Sequence, residues 1–358
     1  MNANFHTVIA ATDAERRDLF LGAAARLGTA VQNVEKDFWV CWTLDALFNG
    51  LPAGGPRLLF KGGTSLSKAF GLISRFSEDI DITVFRDDLG QGVEAADLDG
   101  LSGKKRRAHL DAIRDACQSY IAGPLTAQFT EVAAAAIPRG RFRLEADAED
   151  KDGQTLLFWY PAVTAAEGDY IRAAVKIEAG AKSALDPHIA AIVAPYVAAD
   201  LPDLDLSIGS VTTVQPERTF WDKIIILHGL RQWYDRRKEL RHEGQRVSRH
   251  YYDIHRLVQA EGAQAWQADN RLAADCATHA RLFFGSPDLG LDSAAPGTFT
   301  LTPDTAMHDA LERDYAAMSG MIFGDIPPLD TVLASVAALQ EAINAAAAQP
   351  ASSKGVPA

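Results

Sequence analysis

The chain has 358 residues, 47% hydrophobic and 23% charged, with a net charge of −12. That length suits one large domain or two ordinary ones; no apolar run reaches the ~18–20 residues a membrane helix needs. The acidic balance argues against indiscriminate nucleic-acid binding, which phosphate neutralisation drives, but leaves room for a local basic groove. Cys41, Cys117 and Cys276 are far apart with no CxxC pair, so neither a disulfide framework nor a zinc site is expected, which fits a reducing cytoplasm. The start "MNANFHTVIAATDAERRDL" lacks the basic region and apolar core of a secretory signal. No HxxxH or HExxH places two histidines on one helical face, so a histidine–zinc site is not expected.

In chain order, "DAERRDLFLGAAARL" (13–27) predicts a helix with Asp13 as N-cap. "VQNVEKDFWVCWTLDALFNG" predicts a second, closed by a left-handed C-cap at Gly50. "RLLF" (57–60) reads as a short strand, Gly62-Gly63 as a tight turn and "SLSKAFG" as a helical turn. "SEDIDITVF" (77–85) is a strand by its alternation and β-branched content. Residues 103–122 read as a helix opening on Lys104-Lys105-Arg106-Arg107. "LTAQFTEVAA", "RGRFRLEA", "TLLFWYPAV" and "YIRAAVKIEAG" read as strands between 125 and 180. After Pro202 the pattern turns helical: "PERTFWDKIIILHGLRQW", "SRHYYDIHRLVQAEG", "GAQAWQADNRLAADCATHARLFFG", "TPDTAMHDALERDYAAMSGMIF" and "PPLDTVLASVAALQEAINAAAAQ". The expected organisation is an α+β domain over 1–205, its mixed sheet flanked by helices, then an all-helical domain over 206–346 with the active cleft between them. A disordered tail is expected over 347–358.

The chemistry concentrates in "FKGGTSLSKAFGLISRFSEDIDITV" (60–84). On a strand, Asp79 and Asp81 share a face, their Cβ atoms ~6–7 Å apart, while Glu78 and Ile80 face the other way. Half-buried, the pair raises its own pKa unless a cation sits between; Mg²⁺ takes carboxylate oxygens and shares its remaining positions with water and substrate phosphates. A solvated strand face is the bland alternative. Lys61, Gly62, Gly63, Thr64 and Ser65 form the neighbouring turn. Its glycines allow φ > 0 and close backbone approach, and its N–H groups and hydroxyls suit an anion. It is not a P-loop, because GxxxxGK[ST] is absent and Lys61 precedes the glycines. A phosphate cradle beside an acid pair is what nucleotidyl transfer requires.

"KGGTSLSKAFGLISRFSEDIDI" resembles the KGGT…RFSxDIDL signature of the AbiEii nucleotidyltransferase-toxin family, within the polymerase-β-like nucleotidyltransferase superfamily. "VEKDFWVCWTLDALF", "ERTFWDKIIILH" and "RHYYDIHRL" are similar to further blocks of that family, so the resemblance covers about 35–257. It implies a nucleotide-phosphate turn at Gly63, Thr64 and Ser65, the serine before the acids at Ser77, and the metal pair at Asp79 and Asp81. It further implies an essential lysine at Lys223 and a downstream aspartate at Asp253. The superfamily's third carboxylate falls by strand context on Glu178, partly neutralised by Lys176 on the same face. Read from the residues alone, Lys223 edges the stripe of Phe220, Ile224 and Leu227 and is a lysine snorkelling from a packed helix. Asp253 alone reads as a surface acid paired with Arg249. The spacer "GLRQWYDRRKELRHEGQRVSRH" between them suggests an inserted loop.

The resemblance implies an Mg²⁺- or Mn²⁺-dependent, cytoplasmic enzyme that moves NMP from an NTP to an acceptor hydroxyl. The acceptor would be the 3′ end of tRNA, and the role that of a toxin in growth inhibition or phage defence beside a cognate antitoxin. The alternatives are NMPylation of a protein or small-molecule hydroxyl, and a catalytically inactive nucleotide-binding scaffold. Two basic stretches run against the overall acidity: 104–107, and 231–250 with its seven Lys/Arg against three Asp/Glu. Each is either a solvated charged face or an RNA-backbone grip, with Trp233 and Tyr234 available to stack on a base.

Overall fold

The computed structural model describes residues 1–164, 172–241 and 246–348; the tail expected over 347–358 lies, from 349 on, outside them. The chain divides into two compact units, Met1–Gln215 and the part from Pro216 onward.

The first unit is built on a seven-stranded mixed sheet. Its strands are β1 (Leu58–Lys61), β2 (Asp79–Val84), β3 (Arg143–Ala146), β4 (Thr155–Trp159), β5 (Ala174–Gly180), β6 (His188–Val193) and β7 (Ile208–Val214), in the order β3-β4-β5-β2-β1-β7-β6. β1 and β2 are antiparallel, while β2–β5 and β1–β7 are parallel. Its helices are α1 (Asn4–Ala10), α2 (Asp13–Leu27), α3 (Val31–Asp45), α4 (Gly62–Lys68), α5 (Ala95–Asp99), α6 (Gly103–Tyr120) and α7 (Thr126–Ala136).

α3 holds the unit together. Every residue from Asn33 to Asp45 is buried, four of them charged, and each charge ties the helix to another segment, as a buried charge must. Glu35 accepts from the N–H groups of Val163 (2.7 Å) and Thr164 (2.8 Å). Lys36 pairs with Glu78 at 2.6 Å. Asp37 takes the Lys68 ammonium at 2.6 Å and the Tyr196 N–H at 2.6 Å. Asp45 accepts from the Asn2 N–H at 2.6 Å. Trp39 stacks on Tyr160 (5.4 Å) and Trp42 on Phe158 (5.3 Å), contacts that add ~0.5–1.5 kcal/mol each beyond their buried area.

Several elements differ from expectation. Residues 126–136 are the helix α7, not a strand. Leu125, Phe129 and Ala133 recur every fourth residue and are fully buried, so the 3.6-residue period prevails over the β-branched Thr126, Thr130 and Val132. α2 is capped by Thr12, one residue before the expected Asp13, through a capping box with Glu15. α3 ends in a π-helical turn over Ala46–Gly50 rather than a left-handed glycine. β6 and β7 are strands beyond those the sequence predicts; β7 extends the sheet past the expected 205/206 boundary, and the first unit runs to Gln215.

The second unit is helical: α8 (Pro216–Arg237), α9 (Ser248–Leu257), α10 (Ala263–Ala268), α11 (Asn270–Phe284), α12 (Thr305–Ser319) and α13 (Leu329–Ala348). α8 packs on α9 and α11, and α9 packs on α12 and α13. Of the spacer between Lys223 and Asp253 in which an inserted loop is expected, residues 229–237 continue α8 and 248–250 open α9, while 242–245 lie outside the described residues.

Candidate active site

β2 delivers the acid pair as its alternation requires. Ile80 and Ile82 are fully buried on the core face, and Asp79 and Asp81 share the other, half-buried face. On parallel β5, Lys176 lies opposite Asp79 and Glu178 opposite Asp81; on antiparallel β1, Lys61 lies opposite Asp81. Lys61 Nζ is 3.7 Å from Asp81 Oδ1, and Lys176 Nζ is 2.5 Å from Glu178 Oε1. One sheet face therefore carries three carboxylates flanked by two ammonium groups.

The Asp79 carboxyl is pushed up to about 7, chiefly by burial and then by the negative charge of Glu78 and Glu178, with Asp81 adding to them and Lys36 opposing. Lys36, on buried α3, holds Glu78. Nothing in the local sequence marks it as part of the site, since a lysine in an apolar helix reads as a snorkelling side chain.

The turn is packed against these acids. Gly62 has φ +80°, and a Cβ there would lie 2.1 Å from Asp81 Oδ2, so the position needs glycine both for its backbone and for room beside the carboxylate. Gly63 has no left-handed φ, contrary to expectation; its hydrogen matters because a Cβ would lie 2.4 Å from Arg75 Nη2 and 3.3 Å from Ser77 Oγ. Arg75 is buried against the turn, and the only sign of it in the sequence is its place in the RFS motif.

The buried Thr64 hydroxyl donates to the Asp79 carbonyl at 2.5 Å and lies 2.7 Å from Ser77 Oγ. Ser65 Oγ donates to the Gly62 carbonyl at 2.9 Å. The Thr64 hydroxyl thus locks the turn to the start of β2 and that of Ser65 closes the turn on itself, rather than either standing open to an anion. Lys61, Gly62, Gly63, Thr64, Ser65, Ser77, Asp79, Asp81 and Glu178 all gather in the first unit.

In the second unit, Lys223 on α8 and Asp253 on α9 form an ion pair of 2.8 Å, with side chains 6% and 0% exposed. Asp253 is therefore no surface acid paired with Arg249, and Lys223 does not snorkel to solvent; each is buried on the other.

The donor set suits a hard dication: oxygen ligands only, crowded like charge, and a neighbouring turn. Among the described residues no three Asp, Glu, His or Cys side chains form a ready metal cage. Glu178 is in register for a third ligand but is bonded to Lys176.

An acid pair beside a glycine turn on a mixed sheet is the arrangement that nucleotidyl transfer requires. The family model described as "Nucleotidyl transferase AbiEii toxin, Type IV TA system" matches residues 45–345. The chain belongs to the AbiEii family of nucleotidyltransferase toxins, which implies an NTP substrate, typically a divalent metal, and a cognate antitoxin. Among solved structures it is similar to MenT4, a nucleotidyltransferase toxin of Mycobacterium tuberculosis H37Rv. The identity is 17% and the TM-score 0.39, over 93% of this chain and 98% of that one. A candidate nucleotidyltransferase from H. pylori is similar at 15% identity and TM-score 0.38, over 86% of this chain and 94% of that one. A search of curated proteins gave no match. Among the described residues no helix is long and apolar enough to cross a membrane.

Proposed function

We propose that the chain transfers NMP from an NTP to the 3′-terminal hydroxyl of an RNA, with tRNA as the acceptor, in an Mg²⁺-dependent reaction. The observation that carries this reading is the geometry at Gly62. There the Asp81 carboxylate lies directly against the glycine turn, placing acid pair and phosphate cradle within one strand–turn–helix–strand unit. Asp79 and Asp81 would hold the metal, joined by Glu178 as third carboxylate once it leaves Lys176, and the metal when bound supplies charge neutralisation and Lewis acidity at the triphosphate.

Lys61 and the backbone N–H groups of Gly62 and Gly63 bind the β- and γ-phosphates, and Arg75 stiffens the turn from beneath. Ser77 and Thr64 fix the turn to β2, and Ser65 closes it. In the second unit Lys223 would serve as the family's essential lysine, its ammonium held by Asp253. The acceptor oxygen attacks the α-phosphorus, the α–β anhydride bond breaks, and pyrophosphate leaves.

The test is incubation of the protein with each α-³²P-labelled NTP, Mg²⁺ and total cellular RNA, followed by denaturing RNA and protein gels. Label in the tRNA band is the expected result. Label confined to protein bands would replace this reading with NMPylation.

A further inference from the structure

Of the two basic stretches, one is engaged internally and the other is open. In 231–250, Arg231 donates to Asp235 at 3.0 Å and to the Thr302 carbonyl at 2.7 Å. Arg236 donates to the Pro287 carbonyl. Arg237 pairs with Asp288 at 2.5 Å. Arg237 and Arg241 lie 5.5 and 5.6 Å from the centre of the Trp233 ring, and Arg246 donates to Met321 sulfur at 3.0 Å. Five cations of that stretch are therefore occupied, and Trp233 is covered by two of them instead of being presented to a base.

Lys104, Lys105, Arg106 and Arg107 differ on each count. They occupy the first turn of α6, three of them exposed and Arg106 half-buried. None has an ion-pair partner among the described residues. The first turn of α6 contains no acid, so four positive charges stand at the end of the helix where the macrodipole is itself positive, a placement that costs roughly 0.3–1 kcal/mol per charge. In a chain of net charge −12, folding alone does not favour that cluster, and a polyanion would relieve it.

The helix also ties the cluster to the acid-bearing sheet. Gln118 of α6 donates to the Asp152 carbonyl in the β3–β4 connection, and Thr155, which opens β4, lies opposite Glu178. Lys104 is 14 residues before Gln118, about 21 Å along the helix axis.

We propose that Lys104–Arg107 is the docking surface for the phosphate backbone of the RNA acceptor. This rests on the RNA-acceptor reading above and adds where the strand is gripped. The test is fluorescence anisotropy of a labelled single-stranded RNA of about 20 nucleotides, titrated between roughly 50 and 300 mM KCl. The wild type is compared with K104Q/K105Q/R106Q/R107Q and with R236Q/R237Q. The quadruple variant is expected to lose at least tenfold in affinity near 100 mM salt and to shed about 2–3 units of the log–log salt slope, ~0.7 per phosphate. Its thermal midpoint should hold or rise, because the dipole repulsion is gone. R236Q/R237Q is expected to keep the wild-type slope.

An unchanged affinity and slope in the quadruple variant, while the wild type labels RNA, would overturn this surface and leave the acceptor reading standing. A loss seen on phosphatidylglycerol vesicles but not on RNA would overturn it in favour of an anionic lipid surface. A wild type that labels protein and binds no RNA would overturn both.

Discussion

At Asp79 two demands oppose each other. Its carboxylate is half-buried, with Glu78 and Asp81 near it in sequence and Glu178 across the strand pair, against which Lys36 and Lys176 give partial relief. A site selected for folding alone would not keep that charge. In metal-free protein, Asp79→Asn is therefore expected to raise stability by on the order of 1 kcal/mol, or about 2–4 °C in a unit of this size, while nucleotidyl transfer is lost. A thermal scan paired with a transfer assay checks it, and a lowered midpoint would contradict it. Gly62 makes the converse case. With φ +80° and a Cβ position 2.1 Å from Asp81 Oδ2, Gly62→Ala must either displace Asp81 or strain the turn. It is expected to cost about 1 kcal/mol or more and to abolish transfer. Wild-type turnover in that variant would remove the turn from the account.

Among the elements, α8 and α9 meet through the buried Lys223–Asp253 pair. Lys223→Met leaves an uncompensated carboxylate and is expected to cost about 3–5 kcal/mol, so inactivity of that variant alone says little. Lys223→Met with Asp253→Leu removes both charges and is expected to recover most of the stability, measured by urea unfolding, without recovering transfer. Recovered transfer would make the pair purely structural. His228 on α8 is held as a neutral ring: Nδ1 accepts from the Thr300 N–H at 3.1 Å and Nε2 donates to the Gly290 carbonyl at 3.2 Å. Burial lowers its pKa in the folded state. The unfolded chain then takes up a proton near pH 6.5 while the folded one does not, so this stability is present above about pH 6.5 and is lost as the pH falls. Urea unfolding between pH 7.5 and 5.5 should show the wild type weakening more than His228→Gln, by at most ~1.4 kcal/mol per pH unit; parallel curves would contradict it.

The same elements show what the sequence revealed. β2 was legible because Ile80 and Ile82 alternate with two aspartates, and the turn because glycines follow an apolar run. α7 was not, since its Thr and Val content imitates a strand while the deciding stripe of Leu125, Phe129 and Ala133 depends on burial. The roles of Lys36 and Arg75 lie in contacts across 42 residues and against a backbone atom, which no local pattern carries. Lys223 and Asp253 were picked out by resemblance, and only the structure pairs them.

For the whole molecule, the family membership and the site make a nucleotidyltransferase of a chain whose net charge is −12. An RNA acceptor, as proposed above, would therefore be drawn in by local rather than overall charge. The measurement that tests the central claim most directly is pyrophosphate release from NTP in the presence of Mg²⁺ and cellular RNA, comparing wild type with Asp81→Asn. The account predicts release by the wild type in step with RNA labelling, and none above background by Asp81→Asn. Equal release by both proteins would show that the β2 acid pair is not the transfer centre.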